Sequence, residues 1–544
     1  MVGMTNAAQA VWPRRLLRTA LLLSTALTAT TFAAVPAMAQ IATWKTNANT
    51  SWFIDTSNWT PAEVPTNTGS FGQSSISSII ADSDVTLGTI RFNSDARAYN
   101  FNIYGGSTFA LTGGGIVNNG SAAQNFQIQN ATLRFHNSAS AGNNLITYAL
   151  NSSLGVIEFT GNSTAGSANF TTTYSGQLVF KDSASGGTAS YTADNYTVLD
   201  ITGLTTGGTT IGSIAGGGTI LLGDKTLTVG GNNTSTSYSG VISGSGGTLA
   251  KVGTGTLILT GANTYSGGTL VNAGTLRIGS GGSLSANSSL TVNGGTFDLN
   301  GSNVSITNLS GTGGAIALGA GTLSINQTWM DSYAGTISGT GGLSVTGSAS
   351  LTLSGTSTYS GGTTVSGGGV LAVSNDAALG NANGGLTLDN GTLAFGTVFD
   401  LGSTRTITLG SGGGTITTTG SSSSNMTISG AVSGPGGLTK RGTGTLTLSG
   451  ANDFAGLTIV GNNIVSYVAV SADNQLGVAG AGVTANTLGF LKATSSFSSS
   501  RSFTLTQGYA GFSVDAGATL TWDGVISGTP QPAALRCADQ ARWS

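Results

Sequence analysis

Residues 250–279 read AKVGTGTLILTGANTYSGGTLVNAGTLRIG, and variants of that line return at 345–373 (VTGSASLTLSGTSTYSGGTTVSGGGVLAV) and 439–459 (TKRGTGTLTLSGANDFAGLTI). A second phrase measures the spacing. GVISG, GTISG, GAVSG and GVISG place their second residue at Val241, Thr336, Ala431 and Val525, intervals of 95, 95 and 94 residues. Other phrases keep step: LTVNGGTFDLNG (290–301) answers LTLDNGTLAFG (386–396), and STRTITLG (403–410) answers SSRSFTLTQG (499–508). A unit this long and regular is an internal repeat.

Inside each unit the pattern has period two. Leu446 and Leu448 alternate with Thr445 and Thr447, and Phe297 and Leu299 alternate with Thr296 and Asp298. That alternation marks half-buried strands of three to five residues. Leu257, Leu259, Leu351, Leu353, Leu446 and Leu448 are therefore expected to form an inward core, at equivalent positions in successive units. Tyr265, Tyr359 and Phe454 should correspond in the same way. Between strands stand SGG, NGG, DNG and NAG, whose glycine and asparagine tolerate the positive φ of tight corners. No stretch after the first forty residues shows helical periodicity, so the chain is expected to be all-β. Propeller signatures are missing, and the strands are short with frequent turns. The expectation is a right-handed parallel β-helix, in which each strand pairs with the strand one turn below. Each unit should hold four or five turns of roughly 20–25 residues.

Composition agrees with a folded chain. Only 7% of residues are charged, but 38% are hydrophobic, whereas disordered chains lack apolar residues. No cluster of Lys and Arg exists to displace counterions from phosphates, so nucleic acid is not expected as a partner. The N-terminus stands apart. WPRRLLRTALLLSTALTATTFAAVPAMAQ (12–40) places Arg14, Arg15 and Arg18 before an apolar run and the small-residue pattern Ala37-Met38-Ala39. This is the make-up of a secretory signal peptide cut after Ala39, with export by the Sec route to the periplasm. The single cysteine, Cys537, allows no intrachain disulfide.

With these residues in view, the chain resembles a known family. GGTLAKVGTGTLILTGANTYSGGTLVNAGTLRIG (246–279) and GGLTKRGTGTLTLSGANDFAG (436–456) are similar to the autotransporter-associated β-strand repeat of type V secretion passengers in Gram-negative bacteria. Residues 341–373 are a looser copy, and 43–76 look like the N-terminal segment of such passengers. The resemblance implies display at the cell surface or release from it, an adhesive or scaffolding role, and a ligand on a cell surface or matrix. It also implies an outer-membrane β-barrel translocator as partner, which this sequence does not contain.

The residues offer little chemistry. The sole histidine, His136, follows Leu133 and Phe135 in strand alternation and should point outward, so no Ser-His-Asp constellation is expected. Acids are sparse. Asp82 and Asp84 sit two apart where they could share a strand face, and Asp194 and Asp200 flank NYTVL. A carbohydrate-active β-helix enzyme using acids in the N-terminal third is the alternative function. The main expectation is no catalytic residue, no cofactor and no metal site. Trp44, Trp52 and Trp59 fall within a short span and are read as an N-terminal cap over the first turn.

The chain thus divides into a signal peptide (1–39), a cap with less regular turns (40–235), the repeat helix (236–529) and a tail (530–544). The tail holds two prolines, the only cysteine and no glycine, although the fourth copy has just begun in phase. It is expected to arise from a frameshift or truncation and to add no strand.

Overall fold

The computed structural model describes residues 40–528, apart from 152–153, 420–423 and 462–463. Ala37, Ala39, Cys537 and the tail 530–544 lie outside the described residues. The described chain is all-β, a parallel solenoid of about 21 turns. Turns stacked at about 4.8 Å make a rod on the order of 100 Å.

One turn shows the plan. Val156–Phe159 lies on a first wall, Thr164 makes a single bridge on a second, and Asn169–Thr172 lies on a third. Gln177–Asp182 then returns to lie over Val156–Phe159. The first wall is an 11-stranded sheet reaching Val241–Ser243, continued by a 7-stranded sheet from Val304–Ile306 and a final 2-stranded one. The second wall begins as bridges through Gly115, Ser140, Thr164 and Ser185. It widens to a 6-stranded sheet ending at Leu309–Ser310, then passes to a 10-stranded sheet from Asp331–Tyr333 onward. A 13-stranded sheet and a 6-stranded sheet form the third.

Among the described residues, strand pairing is parallel with one exception. Ile41–Trp44 pairs antiparallel with Trp59–Thr60, which is the edge strand of the first wall. The short added strand occupies backbone groups that would otherwise face open solvent at the start of the solenoid.

The interior follows the alternation. Leu257, Leu259, Leu351, Leu353, Leu446 and Leu448 are all buried, as are Tyr265, Tyr359 and Phe454. Leu351 and Leu353 lie on a different wall from the other four leucines, however. From Leu257 on the third wall, four turns lead through Leu276, Phe297 and Ile316 to Ile337. The chain must still cross the first wall, at Leu343–Thr346, before Leu351 appears on the second. From Leu351, four turns lead through Leu371, Leu393 and Ile416 to Lys440, and Leu446 follows on the third wall. The repeat is not a whole number of turns. Equivalent residues are equally inward, but Leu351 sits on the second wall whereas Leu257 and Leu446 sit on the third.

The N-terminal interior is aromatic. Phe101, Phe126, Tyr148 and Phe170 stack along the third wall with centroids 4.8, 5.2 and 4.9 Å apart. Phe135, Phe159 and Phe180 stack along the first at 4.8 and 4.9 Å. The two columns meet edge to face, Phe135 on Tyr148 and Phe159 on Phe170. In the repeats the same columns are mostly Leu, Ile and Val, with Phe297 among them.

Candidate functional surface

The residues singled out for chemistry do not converge. Asp82 and Asp84 lie in the corner between Ser78–Ala81 and Val85–Phe92 rather than on one strand face. There Asp84 accepts from the Thr108 amide at 2.8 Å, and Asp82 from the Ser83 hydroxyl. Asp194 accepts from the Asn195 amide in a corner, and Asp200 from the amide and hydroxyl of Thr202. Asp84 thus reaches the next turn, and the other three bind groups beside them in the chain. His136 is exposed, and its Nδ1 lies 2.7 Å from Thr160 Oγ1 on the next turn. Among the described residues, no three His, Cys, Asp or Glu side chains gather as metal ligands would. No helix among them is long and apolar enough to cross a membrane.

Of the three tryptophans, Trp44 and Trp59 are buried together at 5.2 Å, edge to face, with Phe53 and Phe71 against them. Trp59 Nε1 donates to the Phe53 carbonyl at 2.8 Å. Trp52 stays partly exposed and bridges Ile80 instead. Two of the three therefore fill the first turn.

Several residues that the sequence reading passed over turn out to be structural. Lys251 and Lys440, the lysines of the repeat line, point inward and are fully buried. Lys440 Nζ donates to the carbonyls of Arg441, Gly442 and Thr443 at 2.7, 3.1 and 3.2 Å, and to Ser466 Oγ at 3.2 Å. Lys251 is held alike by Val252, Gly253 and Ala273. Burial lowers the Lys440 ammonium to about 8, and lowers Lys251 as well. The glycines that follow shape this cradle: Gly253 has φ +65°, and a Cβ there would strike the Gly230 carbonyl. A signal was available, because Lys440 stands in the inward phase two residues after Leu438.

Arg405 and Arg501 are a second such device. Arg405 binds both carboxylate oxygens of Asp376, at 2.6 and 3.1 Å, and the carbonyls of Leu379, Gly380 and Gly384. Arg501 repeats this with Asp473, Gly477, Val478 and Ala481. In the first unit Thr307 and Gly281 stand where the arginine and aspartate would be, judged by their places beside Leu309 and after Thr275–Ile278.

The outer surface is a lattice of hydroxyls. Thr392, Thr415, Thr439, Thr458, Thr484, Thr504 and Ser527 follow one another turn by turn on the second wall. On the first wall, Glu158 bridges Arg134 and Lys181 on the neighbouring turns, both at 2.6 Å. Burial pushes its carboxyl up, but hydrogen bonds from Lys181 and Arg134 outweigh this and leave it below its ordinary value. An opening interrupts the lattice. Where the second wall passes from its 6-stranded to its 10-stranded sheet, the ladder narrows to a single bridge, Gly311 to Tyr333. A cleft of about 780 Å³ opens there, lined by Thr291, Asn293, Ser310, Met330, Asp331 and Thr352 among others.

Residues 249–278, 343–373 and 438–462 match the passenger-associated-transport-repeat. Over 272 residues the chain is 40% identical to the adhesin BmaC autotransporter of Brucella suis biovar 1 (strain 1330), a match covering 45% of this chain. The match spans only 8% of that much longer protein. No solved structure matches the chain. A parallel β-solenoid that carries three passenger-associated transport repeats and is similar over part of its length to an autotransporter has the make-up of an autotransporter passenger.

Proposed function

We propose that the chain is an adhesive passenger, exported to the cell surface or beyond it, which presents the sides of a stiff rod to a surface or matrix ligand. The observation that carries this is the 40% identity to a protein named an adhesin, on a fold whose lateral faces are long and regular. A Sec-type signal peptide ending at Ala39 and a separate outer-membrane β-barrel would supply the route. No catalysis by the rod itself is proposed, since Asp82, Asp84, Asp194 and Asp200 do not converge and each is engaged by a separate hydrogen-bond donor.

The test couples the purified mature chain to beads and counts their retention on epithelial monolayers and matrix-coated wells. Retention several-fold above albumin-coated beads is expected, and Asp82→Asn or Asp84→Asn should leave it unchanged. Retention equal to albumin, or polysaccharide cleavage abolished by either substitution, refutes the reading.

A further inference from the structure

We propose that the cleft at the sheet change of the second wall binds a neutral glycan, with Met330 on its wall, the exposed Trp329 next to it in the chain as an apolar edge, and Asp331 as a fixed acceptor. The proposal rests on the adhesive reading for its biological use, and on the following geometry for its chemistry.

The cleft has the size of a small-ligand site. Its named walls are hydroxyls (Thr291, Ser310, Thr352), an amide (Asn293) and the Asp331 carboxylate, and no Lys or Arg is among its lining residues. Such a surface offers donors and acceptors to a polyhydroxyl ligand but no countercharge to a sialylated or sulfated one.

Met330 lines the cleft, and Trp329 precedes it in the chain. Outward positions elsewhere are mostly Thr, Ser and Asn, yet Trp329 is 72% exposed and Met330 85%. The fold does not require them, because Thr234 and Ser235 precede the matching strand in the first unit, and Ser424 and Asn425 in the third.

The segment is also held in place from beneath. Gln327, fully buried, accepts from the Leu309 amide and donates to the Trp329 carbonyl at 2.7 Å and to Asp331 Oδ2 at 3.1 Å. Asn308 Oδ1 accepts from the amides of Thr328 and Trp329 at 2.8 and 3.1 Å. With its backbone already fixed, Trp329 has only side-chain freedom left to lose on binding. Its face suits the C–H side of a sugar ring, and Asp331 Oδ1 remains to accept from a sugar hydroxyl.

The labelled full-length mature chain is applied to an array of neutral, sialylated and sulfated oligosaccharides, and the best neutral ligand is then titrated by calorimetry. Neutral glycans should bind, and Trp329→Thr with Met330→Ser should weaken binding at least tenfold. Because that variant copies the first unit, its melting temperature should stay within a degree or two. Asp331→Asn should weaken binding by a smaller factor. Binding by charged glycans only, by no glycan, or equally by the double variant overturns the site. Bead adhesion without glycan binding removes the site and leaves the adhesive reading standing. Glycan binding without adhesion does the reverse.

Discussion

The N-terminal turns and the repeat turns solve one problem in two ways. Between residues 99 and 193 the interior is filled by rings, with Phe and Tyr stacked face to face from turn to turn. In the repeats it is filled mainly by Leu, Ile and Val, with corner carbonyls gathered by buried Lys and Arg. An aromatic column adds about 0.5–1.5 kcal/mol per pair beyond its buried area. An aliphatic column gives less per rung, and here a buried cation satisfies three or four carbonyls that tight corners leave without ladder partners. A regular repeat thus keeps charged residues inside while leaving its outside almost uncharged.

The contrast is most sharply tested where the interior tolerates no charge. Leu446→Asp places an unpaired carboxylate between Met426 and Val468 and should prevent folding of the later turns. Thr447→Asp, on the outward phase, should lower the melting temperature by only a few degrees. Equal losses from the two, read by circular dichroism, would break the assigned alternation.

A smaller effect is expected from the arginine device. Arg405→Ala leaves Asp376 and several carbonyls without their cation and should cost about 3–5 kcal/mol. Arg405→Thr combined with Asp376→Gly copies the first unit and should recover at least half of that loss in urea unfolding. No recovery would mean that the first unit depends on some other substitution.

The ion ladder of the N-terminal turns should respond to acid. The Glu158 carboxyl is held below its model-peptide value of 4.5, so its contribution is complete above that pH and fades as pH falls through the lowered value. The wild type should therefore melt higher than Glu158→Gln at pH 7, with the gap closing toward pH 3. A gap that stays constant would show that the pair with Lys181 and Arg134 carries no net stability.

The smallest effect concerns one hydroxyl. Tyr265 and Tyr359 are paired with Thr269 and Thr363 at 2.7 and 2.6 Å, whereas in the third unit both hydroxyls are absent together, as Phe454 and Leu457. Tyr359→Phe should cost about 1–2 kcal/mol by stranding Thr363. Adding Thr363→Leu should restore most of it, which chemical denaturation of the double variant would show.

Much of this fold was legible because its information is local. Alternation in Leu446-Thr447-Leu448 and glycine at the corners require no partner to be read, and the 95-residue phrases announce a stacked repeat. The sequence by itself determined an all-β chain, its inward leucines and its family likeness. Tertiary structure alone decided which wall each phrase occupies, because that depends on turn lengths summed over four turns and not on any one residue. It also decided that Asp82 and Asp84 serve a corner, that Trp52 parts from Trp44 and Trp59, and that Lys440 and Arg405 lie inside. A charged side chain is placed inward only when distant carbonyls converge on it, as those of Leu379 and Gly384 do on Arg405, and that convergence exists only once the turns are stacked.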